Sequence, residues 1–284
     1  MSHRQTIIST VPGVGETPNV PEKMTDDFIN AIVSDNEEKL VDLLNDIGTP
    51  NMRIVFKTPI FEILANSPPI ISVAAFFRSV KCVRTLLSHN INLGLTDLKF
   101  QPPGAFIAAG GSLDILRYVV SAKNNTVHLE HIPVDVAAQF GSIDIIRHLY
   151  LEGVDINPSL SFKNPPMICA CQNGHLEVVN FYLDIGTPVD LVDQWNGNTL
   201  LHYACMGGHT DIALKLLEKG ANPNIVNKKS ILSIIYASES GSLKVVKRIA
   251  EMTPDLHMLR LEYLPIVRAA ACGHLNIVNY FFKK

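Results

Sequence analysis

Apolar positions along the second half of this chain fall into two alternating textures. Pairs of small residues (Ala137-Ala138, Ala170-Cys171, Ala204-Cys205, Ala237-Ser238, Ala269-Ala270) each precede a glycine by three positions. After the glycine, apolar residues recur at helical spacing, as in Leu176, Val178, Val179, Tyr182 and Leu183. The pattern predicts a short helix with a small-residue contact face, a sharp turn, and a longer amphipathic helix. Small side chains let the two helices approach closely. The glycine ends the first helix, where a left-handed backbone carries no steric penalty for it.

The turn glycines Gly111, Gly141, Gly174, Gly208, Gly241 and Gly273 are separated by 30, 33, 34, 33 and 32 residues. A period near 33 means one supersecondary unit copied along a solenoid. Further stops, Gly153-Val154-Asp155, Gly186-Thr187-Pro188 and Gly220-Ala221-Asn222, end the second helices and begin extended turns. Two upstream units lack the glycine. Ala74-Ala75 leads through Arg78 into Val80, Cys82, Val83, Leu86 and Leu87, and Ile32-Val33 leads through Asn36 into Leu40, Val41, Leu43 and Leu44. The 42 residues between Asn36 and Arg78 imply an insertion between the first two units. Arg78 in a left-handed turn is expected to store roughly 1–2 kcal/mol of strain, and Asn36 to tolerate that backbone better.

The stretch Thr199-Leu200-Leu201-His202 through Gly208-His209, running on to Gly220-Ala221-Asn222-Pro223-Asn224, resembles an ankyrin repeat, and six such matches stand in register. The resemblance covers residues 24–284, about eight repeats. It implies an all-α solenoid of helix–turn–helix units joined by short hairpin-like loops, with residues 1–22 as a flexible tail and 23–284 as the repeat domain, its first and last repeats acting as caps. Asp35 and Ser34 make the first repeat's groove side polar. The Thr-Pro-Leu-His tetrad is eroded: repeat six alone keeps both Thr199 and His202, while Pro103, Pro133, Pro166 and Pro265 hold the second slot and suit the first turn of a helix. The family assigns His175, His209, His274 and His202 structural bonds to neighbouring backbone.

Composition adds exclusions. Charged residues make up 18% and the net charge is −3, so no broad field favours nucleic acid or anionic lipid. No run reaches the 18 apolar residues of a membrane span. Five cysteines without framework spacing suit a reducing interior, so the cytoplasm is expected, with the nucleus as the alternative. Cys171, Cys205 and Cys82 read as core. Neither Cys169/Cys171 nor His128-Leu129-Glu130-His131 with Asp135 offers a convincing metal set. Gly13-Val14-Gly15 lacks the lysine of a phosphate loop, and no serine sits at a nucleophile elbow. No cofactor, metal or small-molecule substrate is expected, and no enzyme.

Partner binding is therefore the expected function: a non-catalytic protein-interaction scaffold using the concave groove and the loop tips. The alternative is an ankyrin module of a larger multidomain protein. The register places Phe76, Phe77, Phe140, Tyr203, Met206 and Tyr236 along the groove, with Trp195 at a loop tip before Asn196-Gly197. Phe77 and Phe140 are expected to be exposed. For Phe106, Tyr203 and Tyr236, five places before the glycine, packing against adjacent repeats is the favoured alternative to groove exposure.

Overall fold

The computed structural model describes residues 17–59, 61–123, 126–157, 165–253 and 264–283. Among the described residues the chain forms eight helix pairs. These are α1 (Glu22–Val33) with α2 (Glu37–Ile47), α3 (Ile70–Phe76) with α4 (Val80–Ser88), α5 (Pro103–Gly110) with α6 (Leu113–Val120), and α7 (Val134–Gln139) with α8 (Ile143–Leu151). Four more follow: α9 (Pro166–Asn173) with α10 (Leu176–Asp184), α11 (Leu200–Met206) with α12 (Thr210–Glu218), α13 (Ser233–Glu239) with α14 (Leu243–Met252), and α15 (Pro265–Ala271) with α16 (Leu275–Phe282). Extended pairing among them is limited to isolated bridges, so the fold class is all-α, as the periodicity predicts. The chain divides into two compact units, Met1–Ile107 with Asp114–His128, and Ala108–Leu113 with Leu129–Lys284.

In the second unit the first helices α7, α9, α11, α13 and α15 pack in succession, and α10, α12, α14 and α16 pack behind them. The small residues at the first-helix contacts are buried: Ala137, Ala138, Ala170, Cys171, Ala204, Cys205, Ala237 and Ser238. The second helices supply the large core side chains, Ile145, Leu149, Val178, Tyr182, Leu216 and Ile249. Tyr182 stays fully buried because its hydroxyl donates to the Ile156 carbonyl at 2.9 Å.

The turn between the two helices of each pair explains the period. Gly111, Gly141, Gly174, Gly208, Gly241 and Gly273 all take positive φ, between 71° and 85°. Arg78 adopts the same backbone at φ 60°, a conformation disfavoured for a side chain with a Cβ. In the first repeat the left-handed residue is Asp35, at φ 49°, whereas Asn36 caps α2 by accepting from the Lys39 N–H at 3.0 Å. The expected register there is one residue late. Asp35 has a further use that sequence did not disclose: its carboxylate accepts from the N–H groups of Cys82 (3.0 Å) and Lys81 (3.3 Å), satisfying the first turn of α4. Among the tetrad prolines, Pro103, Pro166 and Pro265 open their helices, but Pro133 precedes α7 as its N-cap.

In the first unit the expected tail through residue 22 is too long. Val20 is buried and donates its N–H to the Arg53 carbonyl at 2.9 Å, and Asn19 bridges Arg53, which in turn bridges Pro69. The insertion between the first two repeats therefore packs: Met52 and Ile54 are in the core, and a 3-10 turn covers Glu62–Leu64. Residues 1–16, including Gly13-Val14-Gly15, lie outside the described residues.

Candidate functional site

The residue after a turn glycine is the N-cap of the second helix, and where it is histidine it binds the preceding repeat. Nε2 of His175, His209 and His274 donates to the carbonyls of Gln139 (2.7 Å), Gln172 (3.0 Å) and Glu239 (2.8 Å). A carbonyl only accepts, so each ring carries its proton on Nε2. Each ring lies over the previous repeat's turn glycine. A Cβ on Gly174 would meet His209 Cε1 at 2.6 Å, one on Gly241 would meet His274 Cε1 at 2.6 Å, and one on Gly141 would overlap the His175 ring. These glycines answer two demands, a left-handed backbone and a close neighbour. Where serine replaces histidine, as at Ser142, the shorter hydroxyl donates to the Ala109 carbonyl at 3.4 Å.

His202 is structural in a different way. It is buried, its Nδ1 accepts from the Thr199 N–H at 3.1 Å, and its Nε2 donates to the Ile231 carbonyl at 3.0 Å. Thr199 and His202 together close a capping box on α11. Burial holds the imidazole pKa below its ordinary value, against the opposing pull of the Ile231 carbonyl and the Asp193 charge.

The loop before α11 is the most defined candidate surface. Asp193 is buried, and its carboxylate accepts from the N–H groups of Trp195 (2.8 Å), Asn196 (2.5 Å) and Asn198 (2.8 Å) and from the Tyr203 hydroxyl (3.1 Å). Burial alone would raise its pKa, but these donors together hold it below the ordinary value. Asn227 repeats the device one loop later, accepting from the N–H groups of Lys229 (2.9 Å) and Ile231 (3.0 Å). Asp97 does the same in the first unit for Lys99 and Gln101, both at 2.8 Å. Each organiser stands 14 or 15 residues before its turn glycine, a spacing visible in the sequence but not singled out. The two later loops are also tied together: Lys228 N–H donates to the Asn196 carbonyl at 2.8 Å and Asn227 Nδ2 to Asn198 Oδ1 at 2.8 Å. On this pinned backbone Trp195 is 70% exposed, consistent with its expected projection.

The remaining groove residues sort by exposure. Met206 is exposed; Phe76, Phe77, Phe140 and Tyr236 are half-buried, so Phe77 and Phe140 are less open than expected. Phe76 stacks edge-on between Phe61 (5.2 Å) and Phe77 (5.3 Å). Tyr203 is buried with its hydroxyl on Asp193, which removes it from any accessible surface, and Phe106 is fully buried. Tyr236 accepts from Asn227 Nδ2 at 3.2 Å, so it also braces the loop. Exposed aromatics also occur outside the expected groove positions, among them Tyr118, Tyr150 and Phe282. Phe100, at the loop tip before α5, is 71% exposed and holds φ at 62°.

Burial pushes the Cys82 and Cys169 thiols up to about 12 and raises Cys171 and Cys205 as well, which disfavours the nucleophilic thiolate. Among the described residues no three His, Cys, Asp or Glu side chains gather as metal ligands, the 128–131 segment included. No helix among them is long and apolar enough to cross a membrane.

A family model described as ankyrin repeats in three copies matches residues 134–227. The ankyrin repeat protein nuc-2 of Neurospora crassa is 30% identical over 245 residues, covering 72% of this chain and 23% of that protein. A probable E3 ubiquitin-protein ligase of Oryza sativa, XBOS32, is 32% identical over 168 residues, covering 56% of this chain and 32% of the relative. The chain thus spans less than a third of the length of either. The human ASB11 ankyrin repeat domain superposes with a TM-score of 0.58 at 18% identity, covering 79% of this chain and 96% of that domain.

Proposed function

This chain is an ankyrin-repeat protein, and from that premise we propose that it acts as a non-catalytic scaffold or adaptor inside the cell, gripping a partner protein with the second unit's first-helix face and loop tips. Ankyrin repeats in general mediate protein–protein interaction, and their fold hosts many unrelated recognition tasks, so the choice of surface rests on side chains. The observation that carries the reading is Trp195: a large exposed aromatic on a loop whose backbone is already held by Asp193 and Lys228. Aromatic anchors on rigid supports dominate binding energy, because little ordering entropy remains to be lost on association. Met206 and the half-buried Phe140 and Tyr236 add apolar area in the same unit.

The test is affinity capture with the wild-type chain beside a Trp195→Ala/Met206→Ala/Phe140→Ala variant that retains its helical circular dichroism. Partners held by wild type and lost by the variant support the reading. Identical capture by both sinks this choice of surface. A second reading, an interaction module within a longer polypeptide whose activity lies elsewhere, is favoured by the greater length of the relatives.

A further inference from the structure

A pocket of about 400 Å³ opens in the first unit between the second helices α4 and α6. Its walls are apolar: Leu87 and Ile91 from the α4 side, and the ring of Tyr118, 41% exposed, from α6. Ser88 in the lining already donates its hydroxyl to the Thr85 carbonyl at 2.7 Å. The polar groups with capacity to spare are the exposed cations Arg84 and Lys123 and the exposed carboxamide of Asn90. Among the described residues neither cation meets a carboxylate; the Arg84 guanidinium lies instead 5.5 Å from the Tyr118 ring centroid. Such a cation–π contact restrains the side chain without using its N–H fork.

The charge of this pocket runs against that of the whole chain. Residues 79–93 contain Lys81, Arg84 and His89 and no acid, and residues 115–123 contain Arg117 and Lys123 and no acid. The acid of α6, Asp114, stands in its first turn and is outside the lining. A chain of net charge −3 therefore carries a positive pocket whose lining is free of carboxylates.

We propose that this pocket binds an extended acidic segment of a partner protein. One bulky apolar side chain of that segment enters between α4 and α6, and flanking carboxylates meet Arg84 and Lys123. The volume lies within the range of pockets that enclose an apolar group with a few polar contacts. The cations belong to separate elements, Arg84 to α4 and Lys123 to the turn after α6, and the walls they share are apolar. That suits separated carboxylates around a hydrocarbon group better than one compact anion. The Asn90 carboxamide can donate and accept at once, as a peptide unit requires. None of these residues belongs to the surface proposed above, which lies in the other unit.

The probe is an array of synthetic peptides with Phe, Leu or Gly at the centre and Glu, Gln or Lys on both flanks. Wild type is expected to be retained by the Glu-flanked Phe or Leu peptides, and less so as salt screens the charges. Fluorescence anisotropy with the best of these peptides then compares variants that keep their helical circular dichroism. Arg84→Glu/Lys123→Glu should bind about tenfold or more weakly and shift its preference to Lys-flanked peptides. Lys229→Glu/Lys244→Glu makes the same change of net charge in the second unit and should bind as wild type does. So should the Trp195→Ala/Met206→Ala/Phe140→Ala variant, which separates this site from the scaffold surface. No retention of Glu-flanked peptides, equal retention with Gly at the centre, or equal loss in the Lys229/Lys244 control overturns the proposal. Loss in the Trp195 variant places the peptide in the other unit and overturns it too. Displacement by inorganic phosphate at the peptide's own concentration overturns it in favour of a compact anion.

Discussion

Two turn glycines with nearly the same backbone should differ sharply in their tolerance of a methyl group. Gly174 has φ +85° and Gly208 φ +71°, so alanine at either site meets a left-handed penalty of roughly 1–2 kcal/mol. Part of this is offset by about 0.4–1 kcal/mol because alanine restricts the unfolded chain, equally at both sites. The surroundings differ. A Cβ at Gly208 meets only Ser240 Cβ at 3.6 Å, an ordinary contact, whereas at Gly174 it falls 2.6 Å from His209 Cε1. The ring must swing away, and its hydrogen bond to the Gln172 carbonyl goes with it. Losing that bond adds about 1 kcal/mol. Gly208→Ala is therefore expected to destabilise by about 1 kcal/mol and Gly174→Ala by about 2 kcal/mol or more. Urea unfolding midpoints at unchanged slope measure the difference. The cause is isolated by placing Gly174→Ala in a His209→Ser background, serine being the residue this slot carries at Ser142 and Ser242. There the extra loss should vanish, a coupling read directly from the double-mutant cycle. Equal losses for the two glycines in the wild-type background would refute the argument.

Three further outcomes follow from the same geometry. Arg78→Gly relieves a left-handed side chain and should stabilise by up to about 1 kcal/mol after glycine's own entropy is counted; a melting temperature that is unchanged or lower would mean the native arginine contacts outweigh the strain. His202 is held neutral by burial, so its folded pKa lies below the unfolded value of about 6.5. Its contribution to stability is complete above that pH and is lost as pH falls through the depressed folded pKa. Urea midpoints taken from pH 8 to pH 5 should decline more steeply for wild type than for His202→Gln. Asp193→Ala leaves three loop N–H groups without their acceptor and should cost about 1–3 kcal/mol, whereas Asp193→Asn should be milder, because Asn227 already performs this task with an amide oxygen; thermal melts of the pair, with Trp195 fluorescence reporting the loop, decide it.

The repeat was legible in one dimension because its two demands are local. A left-handed turn selects glycine, and a close helix contact selects Ala, Cys or Ser three residues earlier, so period, helix pairing and core helices follow from residue types. Trp195 was legible for the same reason: Asn196-Gly197 marks a tight turn that lifts its neighbour out. What sequence left undecided involves partners far apart along the chain. Tyr203 and Met206 look alike as groove residues, but the Asp193 carboxylate, ten residues from Tyr203, draws that hydroxyl inward while Met206 has no such attachment to the loop. The turn in the first repeat fell on Asp35 rather than Asn36 because α4, more than forty residues on, supplies N–H donors for Asp35's carboxylate. Residues 17–20 look like the end of a tail until Arg53 presents a carbonyl to Val20. A groove of about 430 Å³ lies beside α1 because the insertion between the first two repeats, through Val55, Phe56 and Leu64, folds back against that helix. Residue type and spacing determine how a chain wants to bend at each point; which of its equivalent side chains ends up inside depends on hydrogen-bond and packing partners that only the folded structure brings within reach.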